Sequence, residues 1–357
     1  MTGKTFRVID TGLREGRANI AFDAALIEAH KSGMIGDTIR FLQFKPTALV
    51  GRHQILAREL RLDYCREHGI GTARRLRGGG AIYMDEGQFG VELVFRRETL
   101  GIGVLDDLAR RVCTALAMGL SGLSIAAHYR PRNDIEVDGR KLCGTGGFFD
   151  GNTLFFQGTV LVAMSAERMI SALNVPPEKL EKHAIKSAAS RIVTLTELLG
   201  DRLPPVPAIK RAVLEGFSSG LGIDLAWGTI SAAEESLARK QFDDEIGTDV
   251  FVAGEELSSV APGFRSASVR TPGGAITAQV HLASSGTPRL QNVLITGDFF
   301  VTPPRLILDL EAALRGCALA DIETTVTCFF AKAKADVLSA RPEDFATVIA
   351  QAARQAA

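Results

Sequence analysis

Three arginines run into three glycines in Arg74-Arg75-Leu76-Arg77-Gly78-Gly79-Gly80, and a short apolar stretch, Ala81-Ile82-Tyr83, leads through Met84 to Asp85. Glycines without Cβ let a backbone come close to a ligand. Guanidinium groups supply permanent charge in a geometry suited to carboxylate or phosphate oxygens. The stretch therefore reads as an anion-holding loop, and the bland alternative is a glycine-rich hairpin with solvated arginines. It has no Gly-Lys-Ser/Thr and no GxGxxG spacing, so any phosphate would sit in a scaffold other than a P-loop or a dinucleotide fold. Such a site needs further groups. Lys141, just past a hairpin, is placed to reach across a sheet to the same anion, although an arbitrary strand lysine is usually solvated. Asn133-Asp134 precede that hairpin. A carboxylate among Arg130, Arg132 and Lys141 would orient those cations, accept from a nucleotide or coordinate Mg²⁺, while Asn and Asp also favour turns for their own sake. Cys143 as a nucleophile needs a base within reach and has no adjacent histidine, so it reads as a buried, inert thiol. His53 is a lone candidate base, and the segment GTGGFFDG at 144–151 reads as a turn flanking the site.

These residues need elements to position them. Phe6–Asp10, Thr38–Phe44 and Ala48–Gly51 read as strands, and Arg17–Lys31 as an amphipathic helix with Ala21, Phe22, Ala25, Leu26 and Ala29 along one stripe. Ile55–Glu67 reads as a helix, Thr72–Leu76 as a strand entering the glycine loop, and Ala81–Met84 and Val91–Phe95 as strands beyond it. After a helix at Val104–Leu120, Asp138-Gly139 between alternating segments signals a hairpin. Strands at Arg140–Gly144 and Leu154–Ala163 and helices at Ser165–Leu173, Thr194–Leu199, Ala208–Leu221 and Ala232–Phe242 follow. A polar region around Pro176-Pro177 carries Lys179, Lys182, His183 and Lys186. From Asp243 glycine and proline punctuation thickens before strands at Ala275–Leu282 and Asn292–Thr296 and three closing helices. A domain boundary is expected between roughly residues 238 and 260.

At 357 residues the chain is long enough for one large domain plus a small one. Lys+Arg and Asp+Glu are equal at 41 each, which argues against a general nucleic-acid binder. No apolar run is long enough to span a bilayer, and no signal peptide is apparent. Five cysteines without a CxxC pair do not look like a disulfide framework or a zinc site, so a cytoplasmic location is expected.

The ordered pieces resemble the lipoate–protein ligase family, whose catalytic fold is shared with biotin ligases. The glycine motif at Arg74–Asp85 carries the resemblance together with Asn133-Asp134, Arg140-Lys141-Leu142-Cys143-Gly144, Gln157-Gly158-Thr159-Val160-Leu161, Asn19–Asp23, Gly51–Gln54 and Arg191–Leu195. Ile295-Thr296-Gly297-Asp298-Phe299-Phe300 resembles the start of the family's small accessory domain. The resemblance implies an α+β catalytic domain over residues 1–242, with helices on a mixed sheet, and a small α/β accessory domain over 243–357 that moves during turnover. It implies adenylation of lipoate by ATP with Mg²⁺, then transfer to a lysine of a lipoyl carrier protein or domain, by a chain expected to be a monomer. Lys141 would bridge the carboxylate and the α-phosphate, and Arg75 would contact the phosphates. Gly78, Gly79 and Gly80 would pack on the adenylate, with Ala81, Ile82 and Tyr83 flanking it. Asn133 and Asp134 would face the nucleotide, or Asp134 a Mg²⁺. Arg75, Gly80, Met84, Gly144, Gly146, Gln157, Gly158 and Thr159 would line the acyl pocket. Met84 and Gln157 stand where the family has histidines, and Leu76-Arg77 replaces a small polar pair, which suggests a divergent ligase with an unusual carrier. The rival readings are an octanoyl- or lipoyl-transferase of the same fold working through a cysteine thioester, and a lipoate-binding module without catalysis.

Overall fold

The computed structural model describes residues 4–174, 190–254, 263–283, 288–333 and 335–355. The polar region from Pro176 to Lys186 lies outside the described residues. In chain order the first eleven strands are β1 (Thr5–Arg14), β2 (Thr38–Phe44), β3 (Thr47–Val50), β4 (Gly71–Arg74), β5 (Ile82–Met84), β6 (Gln88–Arg96), β7 (His128–Arg130), β8 (Asp134–Val137), β9 (Arg140–Asp150), β10 (Thr153–Leu161) and β11 (Asp224–Trp227). Eight of them form one mixed sheet in the order β11-β1-β2-β6-β10-β9-β8-β7. β1 runs parallel to β2 and β11, and the ladders from β2 to β7 are antiparallel. β4, β3 and β5 form a small second sheet, and the glycine loop is the connection between β4 and β5.

The main sheet is covered on both faces, as expected for strands as apolar as β6 and β10. On one face lie the helices Leu105–Ser121 and Val206–Leu221. They approach so closely that a Cβ on Gly119 would meet the carbonyl of Ala212, and one on Gly216 that of Ala115. Phe89, Val91, Leu93, Leu116 and Phe217 belong to the core beneath them. On the other face lies α1 (Gly16–Lys31), whose Phe22, Ala25 and Leu26 pack against Val94, Phe148 and Phe155. The hairpin between β8 and β9 turns on Asp138 and Gly139, at φ 51° and 72°. Two successive residues in the left-handed region are what a two-residue type I′ turn requires.

Beneath α1, one rung of the sheet is polar. Arg40 on β2 pairs with Glu92 on β6, Glu92 with Gln157 on β10, and Gln157 with Gly146 on β9. Cross-strand partners share a face, so these side chains lie in a row. Arg40 is 0% exposed and reaches Asp23 of α1 at 2.6 Å and Glu92 at 3.0 Å. Burial, with the Glu92 carboxylate beside it, holds the Asp23 carboxyl well above the usual range despite Arg40.

A second core belongs to β12 (Phe264–Thr271), β13 (Gly274–Leu282) and β14 (Leu290–Gly297), backed by the helices Leu306–Leu314, Ile322–Lys332 and Pro342–Arg354. Its centre holds Ile276, Val280, Leu310, Val326 and Phe345. Residues up to Ala253 pack with the first domain. Ile246 and Phe251 join Ile20 and Ala21 in one cluster, and Arg17 donates to the carbonyl of Gly247. We therefore propose that the domain division lies between residues 254 and 263 rather than at 242/243. Two local readings change. The helix expected over Ile55–Glu67 is two short ones, Leu56–Glu59 and Leu62–Glu67, because Leu60 leaves the helix to bridge Leu173. The strands β11 and β12 have no counterpart among the expected elements.

Replacing Arg40 by Met would leave Asp23 and Glu92 buried without their cation. Urea unfolding should show a loss of about 3–5 kcal/mol near neutral pH, the usual cost of breaking one side of a buried pair. A carboxyl whose folded pKa is raised contributes stability below its unfolded pKa and loses it as pH rises through the folded value. The deficit of R40M should therefore grow from acidic to neutral pH. A loss below about 1 kcal/mol, or one that shrinks as pH rises, would contradict this description of the rung.

Candidate active site

The three arginines of the glycine loop have three different environments. Arg74 donates to the carbonyls of Gly51, Arg52 and Gln54 on one side and Phe251, Val252 and Ala253 on the other. It staples the loop after β3 to the helix Asp249–Ala253. Arg75 donates to Leu49 at 3.1 Å and Gly80 at 2.6 Å, so its terminal nitrogens brace the glycine loop. Burial, with Arg77 and Arg74 alongside, pushes its pKa well below the usual arginine value. Arg77 donates from Nε to Gln157 Oε1 at 3.0 Å, and Gln157 donates to Glu92 at 2.6 Å. Arg77 thus continues the polar rung that begins at Arg40. Burial lowers its pKa to about 10, against the opposing pull of Asp23 and Glu92.

Lys141 is the second residue of β9, opposite a register shift between Ile135 and Glu136 on β8. Its Nζ lies 2.7 Å from Asp134 Oδ1 and folds over Gly144, where a Cβ would stand 2.7 Å from that nitrogen. Its backbone receives the 191–193 segment: Lys141 N donates to Arg191 O, and Val193 N to Lys141 O. Burial alone would raise the Asp134 pKa, but Lys141 and Arg130 outweigh it and hold the group below the usual range. Asp134 is therefore a carboxylate that already faces two cations. A Mg²⁺ at Asp134 would compete with Lys141 and Arg130 for its oxygens.

Between the loop and β9–β10 lies a cavity of about 200 Å³. Arg75, Arg77, Gly79, Gly80, Ala81, Ile82, Tyr83, Asn133, Lys141, Gly144 and Thr159 line it, as do Thr145, Leu161, Met164, Met169, Ile192 and Phe300. Gly144 and Gly146 stand two residues apart on one face of β9. Lys141 covers the first, and Arg77 with the Phe300 ring covers the second, so side chains at both places would displace the groups that define the cavity.

Several expected pocket residues lie elsewhere. Gly158 points to the opposite face, against Leu116, Cys143 and Val91, because it alternates with Gln157 and Thr159 along β10. Gln157 holds Arg77 and does not line the cavity itself. Met84 is buried, packs with Leu42 and Leu49 and accepts from the Thr159 hydroxyl. Gly78 lies under the accessory domain, where a Cβ would collide with the carbonyl of Phe299. Asn133 donates to Thr145 O at 2.7 Å and so fixes the turn at the cavity rim. His53 is half-buried between the domains, stacked on Phe299 at 5.1 Å, with its pKa lowered to about 3 by desolvation, Arg52 and Arg74. It does not line the cavity. Cys143 and Cys113 are buried behind the sheet; burial pushes both thiols up, Cys113 to about 12. Arg77 and Phe300 are functional candidates that motif reading did not assign. Phe300 comes from the accessory domain, which also clamps β9 through Thr302: its Oγ1 accepts from Phe149 N and donates to Phe149 O.

A fold with these features has known relatives. A bipartite lipoate protein ligase from Thermoplasma acidophilum, solved in a study of that ligase and its E2 lipoyl domain, is 25% identical, with a TM-score of 0.63 over 72% of this chain and 99% of that one. Plasmodium falciparum LipL1, solved with lipoate, shares the fold over 98% of this chain and 100% of its own, with a TM-score of 0.73 at 16% identity. The octanoyltransferase LipM of Moorella thermoacetica is 26% identical over 66% of this chain and 93% of its own length. Residues 15–218 match the family profile described as the lipoyl protein ligase A/B catalytic domain. That match spans more than half of the sequence, and the chain belongs to this family.

Proposed function

We propose that this chain is an ATP-dependent ligase that activates lipoate as lipoyl-AMP and transfers the lipoyl group to a lysine of a lipoyl carrier domain. The observation that carries this reading is the placing of Lys141. Its ammonium lies over Gly144, faces the braced glycine loop and is steered by a carboxylate that remains ionised. A carboxylate and a triphosphate repel each other, and a cation fixed between them offsets the charge that builds at the α-phosphorus. In the first step a lipoate oxygen bonds to the α-phosphorus and pyrophosphate leaves. In the second the carrier lysine's amine attacks the acyl carbon, an amide forms, a proton is released and AMP leaves. The backbone of Gly79 and Gly80, held by Arg75, lets the adenylate approach without side-chain interference. Ile82, Leu161, Met164, Met169 and Ile192 supply apolar wall. Mg²⁺ would enter with the triphosphate and is not assigned to a side chain.

The transferase reading needs a thiolate beside the acyl group. All five cysteines of the sequence lie in described residues, and none lines the cavity. Cys65, Cys113 and Cys143 are buried, while Cys317 and Cys328 belong to the accessory domain. This favours the ligase. No helix among the described residues is long and apolar enough to cross a membrane.

Two substitutions check the assignment through lipoylation of a carrier domain with lipoate and ATP. Lys141→Ala should lower kcat by roughly 10²–10³ while the protein keeps its circular dichroism spectrum, and near wild-type turnover would refute the mechanism. Cys143→Ala should keep kcat within about threefold of wild type, since loss of a buried methyl-sized group acts through packing alone. An abolished rate in a folded C143A protein would instead support the thioester route.

A further inference from the structure

Position 77 is one where the sequence departs from the family pattern, and the structure gives that departure a partner in another, Gln157. Arg77 is 6% exposed. Its Nε is held by Gln157, which is held by Glu92, so one edge of the guanidinium is fixed. Its two terminal nitrogens have no hydrogen bond to a described residue, and Arg77 lines the cavity. Nη1 lies 2.8 Å from where a Cβ on Gly146 would stand, and Phe300 Cε1 lies 2.5 Å from the same point. Lys141 occupies the equivalent place over Gly144, two residues back along β9, a spacing of roughly 7 Å. An acyl chain whose carboxylate meets Lys141 and which runs along β9 therefore ends at a buried cation and an aromatic ring.

A buried donor without an acceptor is costly, more so when charged. A terminal methyl in this place would leave the guanidinium unpaired and exclude the water that otherwise serves it. A distal oxygen would pair with it, and a sulfur would do so more weakly. We propose that Arg77, positioned by Gln157, is a specificity-determining residue that selects acids with hydrogen-bond acceptors at the distal end, such as the dithiolane of lipoate, over plain saturated acids such as octanoate. The proposal rests on the reading of this cavity as the acyl-activating site. It explains why Gln157 replaces a side chain in the same rung, since its amide accepts from Arg77 and donates to Glu92 at once.

The test compares lipoate, octanoate and octanedioate on wild type, R77Q and R77K. Binding is measured by calorimetry without ATP, and acyl-AMP formation is measured with ATP. Wild type should bind lipoate and octanedioate at least about tenfold more tightly than octanoate, as a site built to donate rejects an analogue without the acceptor. R77Q should bring the lipoate-to-octanoate ratio to within about threefold, and R77K, which keeps the charge, should retain the preference. Equal binding of octanoate by wild type, an unchanged ratio in folded R77Q, or no binding of any acid would overturn the proposal. Selective binding without acyl-AMP would remove the ligase reading and leave Arg77 its role. Acyl-AMP made without selectivity would do the reverse.

Discussion

Several cations, three of them buried, stand around one cavity, and most of the molecule near the site is arranged around that constraint. At an effective dielectric of about 20, two like charges about 4 Å apart repel by about 4 kcal/mol. Arg74, Arg75, Arg77 and Lys141 therefore need compensation that does not also block the cavity. Arg74 and Arg75 are stabilised by carbonyl oxygens, which hold the cation without cancelling its charge. Lys141 is held by Asp134 and Arg77 by the Gln157–Glu92 relay, each from the side away from the cavity. The small sheet, the hairpin at Asp138-Gly139 and the polar rung under α1 all serve these placements.

The accessory domain takes part in the same arrangement. Its Phe299 packs on Gly78 and His53, its Phe300 on Gly146, and its Thr302 bonds both ways to the backbone of Phe149. One short segment thus touches the glycine loop, the loop after β3 and β9 together. The segment 191–193 joins from another side, through the backbone of Lys141. The cavity is consequently built from parts of the chain far apart in sequence, and its walls respond to how the two domains are seated.

What could be read from the sequence was local. The glycine loop, the Asp-Gly hairpin, α1 and the order of strands follow from turn chemistry and periodicity acting over a few residues. The nearness of Lys141 and Asp134 is legible in the hairpin that pairs β8 with β9, but the register is not: Asp134 stands opposite Gly144, and Lys141, opposite Glu136, reaches it by folding over Gly144. Gly158 was misplaced although the signal was present: successive residues of a strand face opposite sides, so Gly158 cannot share a wall with Thr159. The break at Leu60 was hidden, since its bridge to Leu173 spans more than a hundred residues and overrides helix periodicity. Arg77 and Phe300 were hidden for the same reason. One depends on a partner eighty residues away, and the other belongs to a domain whose seat no local pattern encodes.

Activation of a free acid by ATP at this site is read directly by isotope exchange between pyrophosphate and ATP with no carrier protein present. The exchange should require lipoate and be abolished in the Lys141→Ala protein. Absence of lipoate-dependent exchange, together with ATP-independent movement of an acyl group from one carrier to another, would contradict that activation.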